Sequence, residues 1–395
     1  MLTRVYIDNF LCFVNFEYRP DRKQLIFGGN GSGKTSFLRA LLAVRQFAGT
    51  GLKLEEVLPA RTRTRWLEKA EQKFDIEARL DGHEFIYRLE VGLAGDPPLS
   101  VVLLETVHCD GKPIFEFVKG EVRLYNDRFQ NEVSYPFDST RSAFETIGPR
   151  KDNQLLIRFK QWLVGLYCFR LEPGGTYAGA EREDLYPQVG LNNFASWYRH
   201  LVQSDPKQTA LITASLRASI EGFNFLQLEN AGENRRLLFA DFDGGGGKSF
   251  RFALHELSDG QRCLVSLYAI LHFLLAKGST VIIDEPDNFI SLREIQPWLM
   301  AVTDTVEEGH GQIIVISHHP EILNQWAPGN GVQFVRDGAG PARIEALQGD
   351  PESSLTPAEL VARGWERGSA FPGDRPRGRR EASEPDSPLS VSRRV

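Results

Sequence analysis

The chain opens on alternation. Val5, Ile7 and Phe10 recur with a period near two and Phe13 to Tyr18 continues the pattern, which predicts two strands. Gln24 to Phe27 is a short apolar run, as in a strand covered on both faces, and a Gly-rich turn and a helix from Lys34 onward follow it. Phe74 to Leu80 and Glu84 to Val91 face each other across Asp81-Gly82-His83, which is hairpin chemistry, and a meander of short strands is expected to Tyr135. From Asn153 to about Gln227 the period lengthens. Leu155, Leu156, Phe159, Trp162 and Leu163 recur at three- and four-residue spacing, and Leu211 to Ile220 does the same, so this stretch reads as an inserted helical subdomain. A strand pair (Arg236 to Asp241, Ser249 to Leu254) precedes a helix, strand, helix, strand succession to Ile316, and alternation of that kind implies a parallel sheet.

The expected divisions are therefore an N-terminal lobe over 1–150, a helical insert over 151–235, a C-terminal lobe over 236–349, and a short helix with a tail over 350–395. Thr356-Pro357-Ala358-Glu359 has the Thr, first-turn Pro and Glu of a capped helix, and from about Gly368 Pro, Gly, Arg, Ser and Glu dominate, which predicts disorder.

Composition narrows the class. A length of 395 residues suits two to three domains' worth of chain, and 46 Lys+Arg against 52 Asp+Glu leaves a net charge of −6, which excludes a basic nucleic-acid coat. No apolar run approaches the roughly 18 residues of a membrane span, and MLTRVYIDNF lacks the layout of a secretory signal, so a cytoplasmic location is expected. Cys12, Cys109, Cys168 and Cys263 form no CxxC pair and read as buried reduced thiols.

Candidate chemistry starts at Gly28-Gly29-Asn30-Gly31-Ser32-Gly33-Lys34-Thr35, a complete GxxxxGK[ST] between an apolar strand and an amphipathic helix. Its glycines let backbone N–H groups turn inward around phosphates, Lys34 neutralises β/γ oxygens, and the Thr35 hydroxyl is a Mg²⁺ ligand. Gly244 to Ser249 looks similar, but Phe242 stands where the first glycine belongs, so a flexible hairpin loop is expected there. Thr280 to Asp284 is a buried strand running into Glu285-Pro286. By itself this could be a mere turn; beside a phosphate loop it assigns Asp284 to the metal and Glu285 to the general base. Gln312 to Ile316 ends in Ser317-His318-His319-Pro320. Ligands gather at the carboxyl edge of a parallel sheet, which brings Lys34, Asp284, Glu285 and His318 to one crevice, with His318 sensing the γ-phosphate. Leu257-Ser258-Asp259-Gly260-Gln261 opens another helix. Ser258 and Gln261 are also a capping box that starts a helix without any ligand, but Gly260 in the first turn is then unexplained, and it suggests close approach of a phosphate.

LSDGQ resembles the signature motif of the ABC-type ATPases. With GGNGSGKT, VIIDEP, VISHHPEIL and the opening VYIDNFLCFVNFEY, the chain is similar to the branch that contains SMC, RecF and the OLD-like predicted ATPases of bacterial anti-phage modules. The resemblance implies an α/β ABC-type ATPase head: a mixed N-terminal β lobe, a central parallel sheet and an inserted helical subdomain. It implies ATP and Mg²⁺ (Thr35, Asp284), and a homodimer in which Asn30, Gly31, Ser32, Gly33, Lys34, Thr35 and Ser36 of one chain and Ser258, Asp259, Gly260 and Gln261 of the other grip one ATP. Glu285 and His318 become the hydrolytic base and the switch histidine.

The chain departs from its relatives in three ways. Asp287-Asn288-Phe289-Ile290-Ser291-Leu292 replaces the usual Glu and LHP-like segment after DEP, Gln154 and Gln161 are candidates for the lid glutamine with neither singled out, and no sustained heptads indicate a coiled coil. No acidic cluster of a fused nuclease follows His318, so any nuclease belongs to a separate effector protein. The expected role is an ATP-hydrolysing sensor of an anti-phage system, as a homodimer with a higher oligomer left open. The alternative is a RecF-like DNA-binding ATPase using the basic stretch Arg61, Arg63, Arg65, Lys69 and Lys73, which is otherwise a solvated face.

Overall fold

The computed structural model describes residues 1–96, 98–346 and 355–363. Its centre is a six-stranded sheet in the order Tyr167–Arg170, Thr280–Asp284, Gln312–Ile316, Lys23–Phe27, Gly331–Arg336 and Ala342–Ala346. The first five strands run parallel and the last is antiparallel. Two of them, TVIID and QIIVI, are buried at every position, because covering both faces leaves no polar alternation in the sequence.

Strand periodicity divides the molecule's two cores. Ile26, Ile282, Ile314 and Ile316 point to one face, where the helix Lys34–Gly49 lies between this sheet and the N-terminal one. Leu25, Phe27, Val281, Ile283, Ile313 and Val315 point to the other, where the helices Asp259–Phe273 and Leu292–Glu307 pack.

The N-terminal lobe is an eight-stranded antiparallel sheet beginning with Phe16–Tyr18, Leu2–Asp8, Gln72–Leu80 and His83–Ala94 and ending with Asn131–Pro136. The predicted hairpin forms: Leu80 pairs His83 across Asp81 (φ 48) and Gly82 (φ 87), the positive angles a two-residue turn requires. A third sheet joins Gly179–Ala180, Phe223–Asn230, Arg236–Asp243 and Ser249–Ala253. The second glycine run closes its last hairpin, with the Gly244 N–H donating to the Lys248 carbonyl, and holds no phosphate-loop geometry.

The 151–235 segment carries the predicted helices at Gln154–Val164, Phe194–Ser204 and Pro206–Ser219. It is more than a helical insert, however. Tyr167–Arg170 forms the edge strand of the central sheet beside Thr280–Asp284, and Phe223–Asn230 lies in the third sheet. Four residues are too few to show a period against the helices on either side. The helix Pro357–Arg363 is capped as expected, with Thr356 and Glu359 exchanging backbone-to-side-chain bonds; the tail from Gly368 lies outside the described residues. All four cysteines are buried free thiols, and no described helix is long and apolar enough to cross a membrane.

Candidate functional site

Strand Lys23–Phe27 feeds the phosphate loop directly into the helix Lys34–Gly49. Gly28 sits at φ 141, with the Phe334 carbonyl oxygen 2.1 Å from where a Cβ would stand, so the loop is pressed against the neighbouring strand. Gly33 offers the helix no side-chain cap, and a helix N-terminus of this kind favours anions. Lys34 is 8% exposed and its Nζ donates to the carbonyls of Gly28 (2.6 Å) and Gly29 (3.1 Å). Burial lowers its pKa, opposed by Glu285 and Asp284.

Asp284 ends the strand Thr280–Asp284 at 5% exposure. Its carboxyl is held above the usual range chiefly by burial, then by Glu285, while Arg170 and Lys34 pull the other way. Glu285 occupies left-handed backbone at φ 50, a conformation that costs a non-glycine residue about 1–3 kcal/mol and persists only where surroundings enforce it. The enforcement is visible: its N–H donates to the Ile316 carbonyl (2.8 Å), and its carboxylate accepts from Asn288 Nδ2 (2.7 Å).

On the next strand, Ser317 Oγ donates to Asp287 (2.7 Å), and the His319 ring accepts from the Glu321 N–H to cap the helix Pro320–Asn330. His319 is thus engaged structurally. His318 is different: its buried Nε2 has no partner among the described residues, and burial followed by the charge of Lys34 lowers its pKa against the pull of Glu285 and Asp287, which favours the neutral ring.

Asn30, Gly31, Ser32, Gly33, Lys34, Thr35, Ser36, Asp284 and Glu285 line a single cavity of about 450 Å³. Thr35 and Asp284 offer it a hydroxyl and a carboxylate, the hard oxygen donors that suit Mg²⁺. The same cavity is walled by residues the sequence did not assign to it: Leu11, Cys12, Arg336, Trp66 and the arginines 61, 63 and 65. The arginines of the basic stretch therefore border this cavity, Arg63 with its guanidinium donating to the carbonyls of Ala70 (2.7 Å) and Gly92 (3.3 Å), while Lys69 pairs with Asp8 (2.6 Å) and Lys73 with Glu90 (2.7 Å).

The signature residues Ser258, Asp259, Gly260 and Gln261 do not line this cavity. Ser258 and Gln261 form the capping box, Ser258 Oγ accepting from Gln261 N–H (3.2 Å) and Gln261 Oε1 from Ser258 N–H (3.1 Å). Gly260 has a steric reason within its own chain, since a Cβ there would stand 2.7 Å from the Phe289 carbonyl oxygen. The glycine keys the signature helix to the loop that follows Glu285. Gln154 and Gln161 lie exposed on the helix Gln154–Val164 and do not line the cavity; the residue that ends the strand beside Asp284 is Arg170.

Residues 25–324 match the family described as AAA domain, putative AbiEii toxin, Type IV TA system. The chain belongs to that family. No curated protein matches it. Among solved structures, an SMC head bound to the C-terminal winged-helix domain of ScpA is 12% identical, with 88% of this chain and 97% of that one covered and a TM-score of 0.54. The SMC head domain of Thermotoga maritima (13% identical, 88% and 99% covered, TM-score 0.46) and an SMC head with coiled coil and joint from Pyrococcus yayanosii (11%, 88% and 97%, 0.48) are also similar. The fold is that of an ABC-type P-loop ATPase head, and beyond Ile316 the described residues add two helices and two strands with no nuclease body.

Proposed function

We propose that the protein binds and hydrolyses ATP as a homodimeric switch, and that it is the sensor and regulator of a bacterial anti-phage system acting on a separate effector protein. The observation that carries this reading is an incomplete site. One cavity gathers Lys34, Thr35, Asp284 and Glu285, while the signature corner of the same chain lies elsewhere. A twofold pairing that sets each signature helix against the other chain's cavity would complete both sites at once, as isologous symmetry requires.

In this scheme Lys34 leaves the loop carbonyls for the β/γ oxygens, and backbone N–H groups of the loop between Asn30 and Ser36 hold the phosphate chain. Glu285 orients the attacking water and takes its proton; Asn288 fixes the direction of that carboxylate. Neutral His318, with its free Nε2, reports whether the γ-phosphate is present. Thr35 and Asp284 would hold Mg²⁺, which when bound neutralises charge on the phosphate oxygens. Ser258 and Gly260 of the partner close the site. The winged-helix domain seated on the similar SMC head supports a separate protein docking on a head of this shape. The alternative, a RecF-like DNA-binding ATPase, rests on the basic stretch, of which Arg61, Arg63 and Arg65 border the nucleotide cavity and Lys69 and Lys73 pair with Asp8 and Glu90.

Glu285→Gln removes the base while keeping the shape, so ATP should accumulate a stable dimer of that variant in light scattering. A variant that remains monomeric at saturating ATP would count against the paired site. The protein that co-purifies with the trapped form identifies the effector.

A further inference from the structure

The phosphate loop and the two acids account for one end of the cavity, which His318 does not line, and leave its other wall without a role. That wall is built rather than incidental. Trp66 stands on it 43% exposed, and the Arg336 guanidinium lies over its ring, 5.3 Å from the centroid. Arg336 is itself fixed, donating to the carbonyls of Gly340 (2.7 Å) and Ala339 (3.1 Å). The loop that presents Trp66 is clamped from below by fully buried Asn9, whose side-chain Oδ1 accepts from Thr64 N–H (3.0 Å) and whose Nδ2 donates to the carbonyls of Lys69 (2.7 Å) and Glu71 (2.8 Å). Leu11, also on the cavity wall, ties its N–H to the Thr62 carbonyl (2.7 Å).

A large aromatic surface left in water, held on a stiffened loop and backed by a planar cation, has the properties of a stacking platform. It borders the same cavity as the triphosphate cradle. We infer that Trp66, backed by Arg336, is the platform on which the base of the nucleotide stacks, and that it favours purine over pyrimidine nucleoside triphosphates. This rests on the reading of the cavity as a nucleotide site. Stacking strength follows the area of overlapping rings, so a two-ring base gains more from an indole than a one-ring base does, and because every base has a π face the platform does not separate adenine from guanine.

Calorimetry on the full chain at fixed Mg²⁺ tests it with three probes: ATP, CTP and inorganic tripolyphosphate. The wild type should bind ATP more tightly than CTP. Trp66→Ala should weaken ATP binding by about tenfold or more, the usual effect of removing one base-stacking ring, and shrink the ATP-to-CTP difference. Tripolyphosphate, which has no base, should bind as before, and Trp66→Phe should restore most of the ATP affinity. The ATP-induced change in tryptophan emission should disappear in Trp66→Phe.

If Trp66→Ala binds ATP as the wild type does, the platform is wrong. Equal loss of ATP and tripolyphosphate would also overturn it, since Trp66 would then merely prop the loop. Failure of the underlying nucleotide reading looks different: Lys34→Ala would leave tripolyphosphate binding intact whatever residue 66 is.

Discussion

Glycine 260 gives opposite signs for two accounts of the signature helix. If it is a glycine only so that a phosphate from outside can approach, the nucleotide-free protein has no use for the missing side chain, and Gly260→Ala should stabilise the helix by up to about 1 kcal/mol through propensity alone. The structure predicts the reverse. The new Cβ would stand 2.7 Å from the Phe289 carbonyl oxygen, a backbone atom that cannot rotate away. Phe289 lies in a loop held on both sides, by the Glu285 N–H to Ile316, by the Ile290 N–H to Asp287, and by Ser317 on the Asp287 carboxylate.

Relieving the contact requires the helix and loop to part by several tenths of an ångström, and overpacking of this kind costs about 1–3 kcal/mol. After the propensity gain is set against it, the expected net loss is about 1–2 kcal/mol. Urea unfolding without nucleotide, followed by tryptophan emission, reads this as a lower midpoint at an unchanged slope. Gly29→Ala is the control, because its added Cβ meets nothing within 4 Å and should change stability by no more than about 0.5 kcal/mol. A Gly260→Ala protein as stable as the wild type, or more so, would refute the keyed contact and return the glycine to the ligand.

Three further outcomes are expected. Lys34→Ala should abolish ATP binding in calorimetry, and unchanged affinity would mean that the phosphates lie elsewhere. Asn288→Ala removes the bond that aims Glu285, so kcat should fall roughly ten- to a hundredfold with ATP affinity unchanged; a rise in KM alone would contradict the positioning role. His272, whose ring meets Ser215 Oγ at 2.8 Å, has its pKa lowered by burial from 6.5 to about 4. The folded state therefore prefers the neutral ring, and stability is complete above about pH 6.5 and declines as pH falls toward 4, by up to roughly 3 kcal/mol. His272→Phe should flatten that part of the pH–stability profile in urea titrations, and an unaltered profile would place the acid sensitivity elsewhere.

What the sequence disclosed and what it withheld divide along one physical line. The phosphate loop is legible because consecutive backbone amides do the binding, and their geometry demands glycines at fixed spacing. TVIID and QIIVI are legible because burial on both faces leaves an uninterrupted apolar run. The edge strand Tyr167–Arg170 was lost to the helical pattern around it, as nothing in four residues distinguishes the two periods. Trp66 and Arg336 were lost for another reason. They meet over the cavity because Asn9, bent into left-handed backbone at φ 58, pulls the 64–71 loop toward the first strand, and no local spacing records a contact among three distant segments. Gly260 is the instructive middle case: its residue type announced that something comes close, and the sequence pointed to a phosphate. The nearer neighbour is a carbonyl of the chain itself, and the two readings are compatible only if the loop after Glu285 moves with the signature helix, so that closing the proposed site on one chain shifts the frame that holds Glu285 on the other.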